Sequence, residues 1–317
     1  MDQYLDHPSG YLALSPKNTR FSAPERPGFI AYREQGGHRV TFGGVHAAPD
    51  DREAILDAFL ADAERAKRRV VAIQIREHET ALFRSKGFVV NRFGATYGIR
   101  LATFALGGAR REKLRNKIKR ARANGLRVLE VGHEIPRDET TYRLLQDVSA
   151  AWLKKKGKKE LDFMIGELGT PGDEQRRVFL VQDPAGTTLG FISYVPARGT
   201  KPGVLHDLTR RMPVCPPGTM ELCNAEAMER LRASGAEWLH FGFTPFFLQG
   251  SEGEGASRVL SFAVTLLGRY GGFIYPAKSQ VEYKLKWGPD WIESEYIAFR
   301  PVSLRAVWDL LRLTRSL

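Results

Sequence analysis

The stretch that most constrains how this chain folds is residues 178–244. Two apolar runs, 178–182 and 189–195, flank Asp183-Pro184-Ala185-Gly186, a pattern that predicts an antiparallel hairpin. A third extended segment covers 204–208. Thr209-Arg210-Arg211 follow, then a proline-rich connection over 212–218, a helix beginning near Thr219 and a strand over 237–243. That order of elements predicts an α/β fold.

Meander, loop, helix and strand in this order resemble the core of the GNAT acyltransferase fold, in which the acyl donor lies beside the loop before the helix. An acyl-CoA enzyme of that fold needs a glycine-rich turn there, because bare backbone N–H groups must approach a pyrophosphate at the helix N-terminus. Here the loop reads Arg210-Arg211-Met212-Pro213-Val214-Cys215-Pro216-Pro217-Gly218-Thr219. Its three prolines each remove a donor and fix φ. The loop therefore points to a donor other than CoA.

A second constraint is charge. The 317 residues carry a formal net charge of +12, which implies a polyanionic partner, either nucleic acid or an anionic membrane surface. With 43% apolar and 26% charged residues the chain is otherwise an ordinary globular one, long enough for two domain-sized cores. Met1-Asp2-Gln3-Tyr4 do not begin a basic region followed by an apolar run, and no window approaches a membrane span, so a cytoplasmic location is expected. Cys215 and Cys223 lack metal-ligand spacing; neither zinc nor a disulfide framework is expected, and no cofactor is called for.

The two halves echo one another. Residues 29–34 and 38–42 predict a hairpin, 51–67 an amphipathic helix with Ile55, Phe59 and Ala63 on one side, 70–75 a strand, 78–86 a short helix and 88–99 a long strand. The second half repeats the plan with the hairpin and strand of 178–208, a helix over 219–233, a strand over 237–243, a helix over 256–269 and a strand over 272–286. Residues 250–255 read as a solvated loop. The expected architecture is two tandem GNAT-like units with mixed sheets, residues 1–108 and 136–317, joined by a basic helix within 109–135.

Residues 110–122 hold eight cations and one acid. Leu114, Ile118 and Ala121 recur at helical spacing, so one narrow face packs on the body, and Arg111, Arg115, Lys119 and Arg122 form a neighbouring stripe. A second cluster, Lys154 to Lys156 with Lys158 and Lys159, follows Trp152. Each run alone reads as a solvated face. Two in one chain favour contacts with a phosphate backbone, with Lys155 and Lys158 joining the stripe. Toward the end, residues 281–287 alternate apolar and charged positions as a half-buried strand does. A last helix over 303–315 places Leu304, Val307, Trp308 and Leu311 on one face. Packing on the body is its expected role, with an anionic membrane interface as the alternative.

An ordered set of motifs carries a closer resemblance. Phe104 to Gly107 with Leu114-Arg115-Asn116 and Gly125, then Ser149, Trp152-Leu153, Lys158-Lys159-Glu160, Phe163 and Gly166 lead to His206-Asp207-Leu208-Thr209-Arg210-Arg211. Gly218-Thr219-Met220-Glu221, Phe241-Gly242-Phe243-Thr244-Pro245 and Tyr283-Lys284-Leu285-Lys286-Trp287 with Pro289 and Trp291 complete it. In this order they resemble the cytoplasmic catalytic domain of the phosphatidylglycerol lysyltransferases, the aminoacyl-phosphatidylglycerol synthases. The resemblance implies tandem GNAT-like domains that take an amino acid from aminoacyl-tRNA and esterify it onto a lipid hydroxyl. It makes aminoacyl-tRNA the co-substrate and an anionic lipid the acceptor, with peripheral contact at the inner face of the membrane. Thr209 stands where the family has Met, Glu221 where it has Asp, and Gly43-Gly44-Val45 where relatives show Gly-Asp-Pro. With no membrane-embedded portion in this sequence, a soluble small molecule or peptide is the alternative acceptor.

An aminoacyl ester is already activated, so the protein must hold the amino acid, neutralise an oxyanion and assist deprotonation of the acceptor. Asp207 is the first candidate, with His206 as proton acceptor and Arg210 as phosphate ligand. Glu221 is placed to face an ammonium group. Lys284 and Lys286 are placed for phosphate, Thr244 for substrate contact, and Thr219 is first a helix N-cap. The competing classes are an acyl-CoA N-acyltransferase, disfavoured by the prolines, and a non-catalytic RNA-binding module.

Overall fold

The hairpin that dominates the sequence forms, and a sheet grows from it in both directions. The computed structural model describes residues 4–156, 163, 166–247 and 277–314. In chain order its elements are β1 (Thr19–Phe21), β2 (Gly28–Gln35), β3 (His38–Ala47), α1 (Pro49–Arg65), β4 (Arg69–Arg76), α2 (Thr80–Ser85) and β5 (Val89–Arg100). Then come α3 (Glu112–Ala123), β6 (Arg127–Glu130), α4 (Glu139–Lys156), β7 (Arg177–Gln182), β8 (Thr188–Ala197), β9 (Gly203–Arg211) and α5 (Thr219–Ala233). The last are β10 (Trp238–His240), β11 (Thr244–Pro245), α6 (Ala277–Leu285), β12 (Trp291–Arg300) and α7 (Leu304–Leu313).

The expected mixed α/β architecture is present as one large sheet, ordered β1-β2-β3-β4-β12-β5-β10-β9-β8-β7-β6, with β11 also on β5. Pairs β3·β4 and β9·β10 are parallel and the others antiparallel. The closing strands are interleaved: β12, late in the chain, lies between β4 and β5, while β5 pairs with β10 of the second half. Separating the halves would therefore break four strand pairings, β12·β4, β12·β5, β10·β5 and β11·β5, as well as side-chain packing.

Local patterns explain the helices. Ile55, Phe59 and Ala63 of α1 are buried against Val70 and Ala72 of the sheet, and Pro49 with Asp50 and Asp51 supplies its first turn. Leu114, Ile118 and Ala121 of α3 pack with Leu222 and Ala225 of α5, as their spacing requires. Gly218, at φ 91°, is the αL residue before α5, where any Cβ would collide with the Lys117 carbonyl. This glycine lets α3 cross close to the start of α5.

Several expectations are corrected. Residues 277–285 are helix α6, not strand: Val281, Lys284 and Trp287 are buried at intervals of three, and that spacing prevailed over the period-two alternation of charge. The strand read over 237–243 shrinks to β10; Gly242, at φ 67°, follows it, and the short β11 begins beyond the predicted strand at Thr244. In α7 the buried residues are Ala306, Asp309 and Leu310, whereas Leu304 and Trp308 face solvent. Asp309 fixes that orientation by accepting from the Gly37 N–H (3.1 Å) and pairing with His38 Nδ1 (2.7 Å). The helix expected over 256–269 and the loop over 250–255 lie outside the described residues.

Candidate functional site

Strand β9 carries the first groups of the site. Ser193 of β8 opposes Leu208 and Tyr194 opposes His206, which leaves Asp207 as the extra residue of a β-bulge. Strict alternation would send His206 and Asp207 to opposite faces, but both line one cleft of about 510 Å³. Its other walls are the proline-rich loop with the first turn of α5, Lys117 of α3, Trp152 of α4, the segment after β10, and α6.

Asp207 is closed off by its partners, its side chain only 1% exposed. Oδ1 accepts the Gly166 N–H at 2.8 Å, and Oδ2 is bound by Arg176 Nη1. Burial raises its carboxyl above the usual range, opposed by the charge and hydrogen bond of Arg176. Arg176 is itself buried and also donates to Ser193 Oγ (3.0 Å) and Asp173 Oδ2 (3.1 Å). Arg176 was not anticipated, and nothing in the sequence separates it from its neighbour Arg177.

His206 lies among the rings of Tyr194, Phe241 and Tyr283, with Nε2 2.5 Å from Thr209 Oγ1. Burial and the charge of Lys284 push its pKa down to about 3, so the imidazole is neutral and weakly basic near pH 7. Arg210 is buried with its guanidinium 4.2 Å from the Trp152 ring centroid, a stacked cation at the cleft wall.

Helix α6 and the segment after β10 make the opposite wall. Lys284 is buried, and its Nζ donates to Gly242 O (2.9 Å), Phe243 O (3.1 Å) and Thr244 Oγ1 (2.6 Å). Burial lowers its pKa to about 7, against the attraction of Glu295. Both amine and ammonium forms are thus populated at neutral pH, a property matched to proton transfer. Thr244 meets the cleft through this lysine.

At the mouth of the loop, Glu221 in the first turn of α5 pairs with Lys286 Nζ (2.8 Å) and Lys117 Nζ (3.3 Å). Burial pushes its carboxyl up, but the two cations outweigh that and hold it below the usual range. A fixed carboxylate at this helix end opposes a pyrophosphate there. Thr219 is not the N-cap. It is the first helical residue, and its hydroxyl donates to Pro216 O at 2.6 Å.

The cationic stripe is divided by the structure. Arg111 donates to the carbonyls of Trp287 (3.0 Å), Ala105 (2.9 Å) and Gly288 (3.2 Å), and Arg115 to those of Leu106 (2.9 Å) and Gly108. These two hold the segment before α3 in place. Lys119 is exposed, Arg122 is exposed beside Glu226 (2.8 Å), and Lys155 is exposed with its Nζ 2.9 Å from Pro213 O of the proline-rich loop. Lys158 lies outside the described residues.

The family described as phosphatidylglycerol lysyltransferase, C-terminal, matches residues 1–299. A lysylphosphatidylglycerol biosynthesis bifunctional protein LysX of Mycobacterium ulcerans is 25% identical over 287 residues, covering 88% of this chain and 26% of the relative. The chain thus spans about a quarter of that protein's length. The structure of L-PGS from Bacillus licheniformis superposes with a TM-score of 0.78 at 21% identity, covering 98% of this chain and 91% of the other. The C-terminal domain of a putative lysylphosphatidylglycerol synthetase from Agrobacterium fabrum does so at 0.79 and 22%, covering 98% and 93%. At these identities the two structures speak to the fold.

Proposed function

Because this chain belongs to the phosphatidylglycerol lysyltransferase C-terminal family, we propose that it moves an amino acid from aminoacyl-tRNA to the hydroxyl of phosphatidylglycerol or a related polar lipid. The observation that carries the chemistry is Lys284, a buried amine with a pKa of about 7 lining the cleft.

The reaction is a transesterification. In its neutral form Lys284 accepts the proton of the acceptor hydroxyl as that oxygen attacks the ester carbonyl. The tetrahedral oxyanion collapses, the bond to the ribose oxygen breaks, and the proton returns to that oxygen. No cofactor is needed because the ester supplies the driving force. Lys284 replaces His206 as the acceptor in this scheme, since a pKa near 7 suits the task better than one near 3. Arg210 serves the phosphate of the lipid or of the tRNA terminus, and the carboxylate of Glu221 offers negative charge to the α-ammonium group. Asp207, closed off by Gly166 and Arg176, acts by holding Arg176 and β9 in place. The prolines and Glu221 disfavour CoA, which supports a donor delivered on RNA. Exposed Lys119, Arg122 and Lys155 are the proposed contacts for its backbone, with Lys158 beyond the described residues.

The test is transfer of label from tRNA charged with mixed labelled amino acids to total lipid or to a desalted soluble extract. Nuclease-sensitive label in the lipid phase is the expected result. Label only in the soluble extract would keep the donor and replace the acceptor, and no transfer by a protein that binds charged tRNA would reject the reading.

A further inference from the structure

Helix α7 carries more apolar surface than the body covers. Ala306 and Leu310 pack into the cluster that also holds Leu12 and Leu205, two residues lining the cleft. On the outward side Leu304 is 90% exposed and Trp308 54%, with Val302 41% exposed just before the helix. Residues 304, 308 and 311 fall on one stripe at spacings of four and three, and Leu311 is half-buried beside Trp308. Arg305 and Arg312 are exposed along the flank of this stripe, and Arg300 is exposed at the end of β12. The one acid of the helix, Asp309, is buried against Gly37 and His38. The outward side therefore shows solvent only apolar groups and cations.

We propose that α7 is an interfacial helix that seats this protein on an anionic lipid bilayer. A single ten-residue helix is about 15 Å long, a small footprint for a stable protein partner but sufficient to lie in a headgroup layer. Leu304 and Trp308 enter the acyl boundary, while Arg305 and Arg312 reach lipid phosphates. Charge complementarity selects this occupant. Ala306 and Leu310 tie the docked helix to the apolar cluster that also holds Leu12 and Leu205 of the cleft wall. The inference rests on the lipid-acceptor part of the proposed function.

The experiment is co-sedimentation of the whole chain with vesicles of phosphatidylglycerol and phosphatidylcholine, or of phosphatidylcholine alone, without tRNA. The L304E/W308E double variant is run in parallel. Binding to the anionic vesicles, weakened about tenfold or more by the variant and by removing the anionic lipid, is expected. No binding by the native chain, or equal binding by the variant, overturns the proposal. Sedimentation velocity covers the other occupant: a dimer lost in the variant, without vesicle binding, would assign the stripe to a second copy. Transfer to monomeric dihexanoyl phosphatidylglycerol is measured separately and should be unchanged in the variant. Loss of that transfer in the native chain would reject the proposed reaction while leaving the vesicle result to be judged by itself.

Discussion

Lys284 Nζ lies 2.6 Å from Thr244 Oγ1, tying α6 to β11 across 40 residues of sequence and holding a buried amine at the cleft wall. If its neutral form accepts the proton, kcat rises with pH through about 7, the pKa of this group. Lys284→Met should lower turnover by about 10²- to 10⁴-fold with a smaller effect on KM. Thr244→Val removes an acceptor that favours the ammonium form, so the midpoint of the pH profile should move down. A Thr244→Val profile with an unmoved midpoint would take Lys284 out of the rate-determining proton transfer.

The same lysine makes stability depend on pH. Its folded pKa of about 7 lies below the ordinary 10.5, so between these values the unfolded chain holds a proton that the folded chain has released. Unfolding free energy from this group therefore rises with pH across that window. Urea titrations at pH 7 and pH 9 should show the native protein gaining more than Lys284→Met. Equal gains would mean that the amine is not charge-destabilised in the fold.

Asp207 and Arg176 form a buried pair, 1% and 5% exposed, so removing Arg176 strands Asp207, and removing Asp207 leaves the buried Arg176 with Asp173 as its one carboxylate partner among the described residues. Asp207→Asn and Arg176→Met should each cost about 3–5 kcal/mol, and the double variant should recover part of the loss. Denaturant unfolding of the cycle measures this coupling. If the single losses simply add, the two groups do not stabilise one another. Asp207→Asn should also slow transfer with little change in tRNA affinity, which filter binding and single-turnover kinetics separate.

Much of this arrangement was legible because it rests on local patterns. The hairpin of β7 and β8, the span of α5 and the packed face of α3 follow from turn residues and from period-two or period-three-to-four spacing. What failed needed partners distant in sequence. The bulge at Asp207 depends on how β8 meets β9, and Arg176 becomes its counter-ion only once those strands pair. Residues 281–287 fit two periods equally well over seven positions, and burial of Lys284 among the carbonyls after β10 decided between them. Likewise Leu304 and Trp308 belong to the apolar arc of α7, but the bond from Gly37 to Asp309 turned that arc partly outward.

The basic stripe on α3 yields the last prediction, because the structure separates cations that the sequence grouped together. Arg115 is half-buried and donates to the Leu106 carbonyl, so Arg115→Glu should destabilise the segment before α3 as well as weaken RNA binding. Lys119 and Arg120 are exposed, so the K119E/R120E double variant should leave stability within about 0.5 kcal/mol of the native value. If both meet phosphates, that variant should weaken tRNA binding regardless of which amino acid is attached. It should also flatten the slope of log K against log salt by about 2. Binding isotherms at several salt concentrations, with a thermal melt as control, test the point. An unchanged slope in a fully folded variant would take Lys119 out of the RNA path and leave the exposed Arg122 and Lys155 as the remaining described contacts.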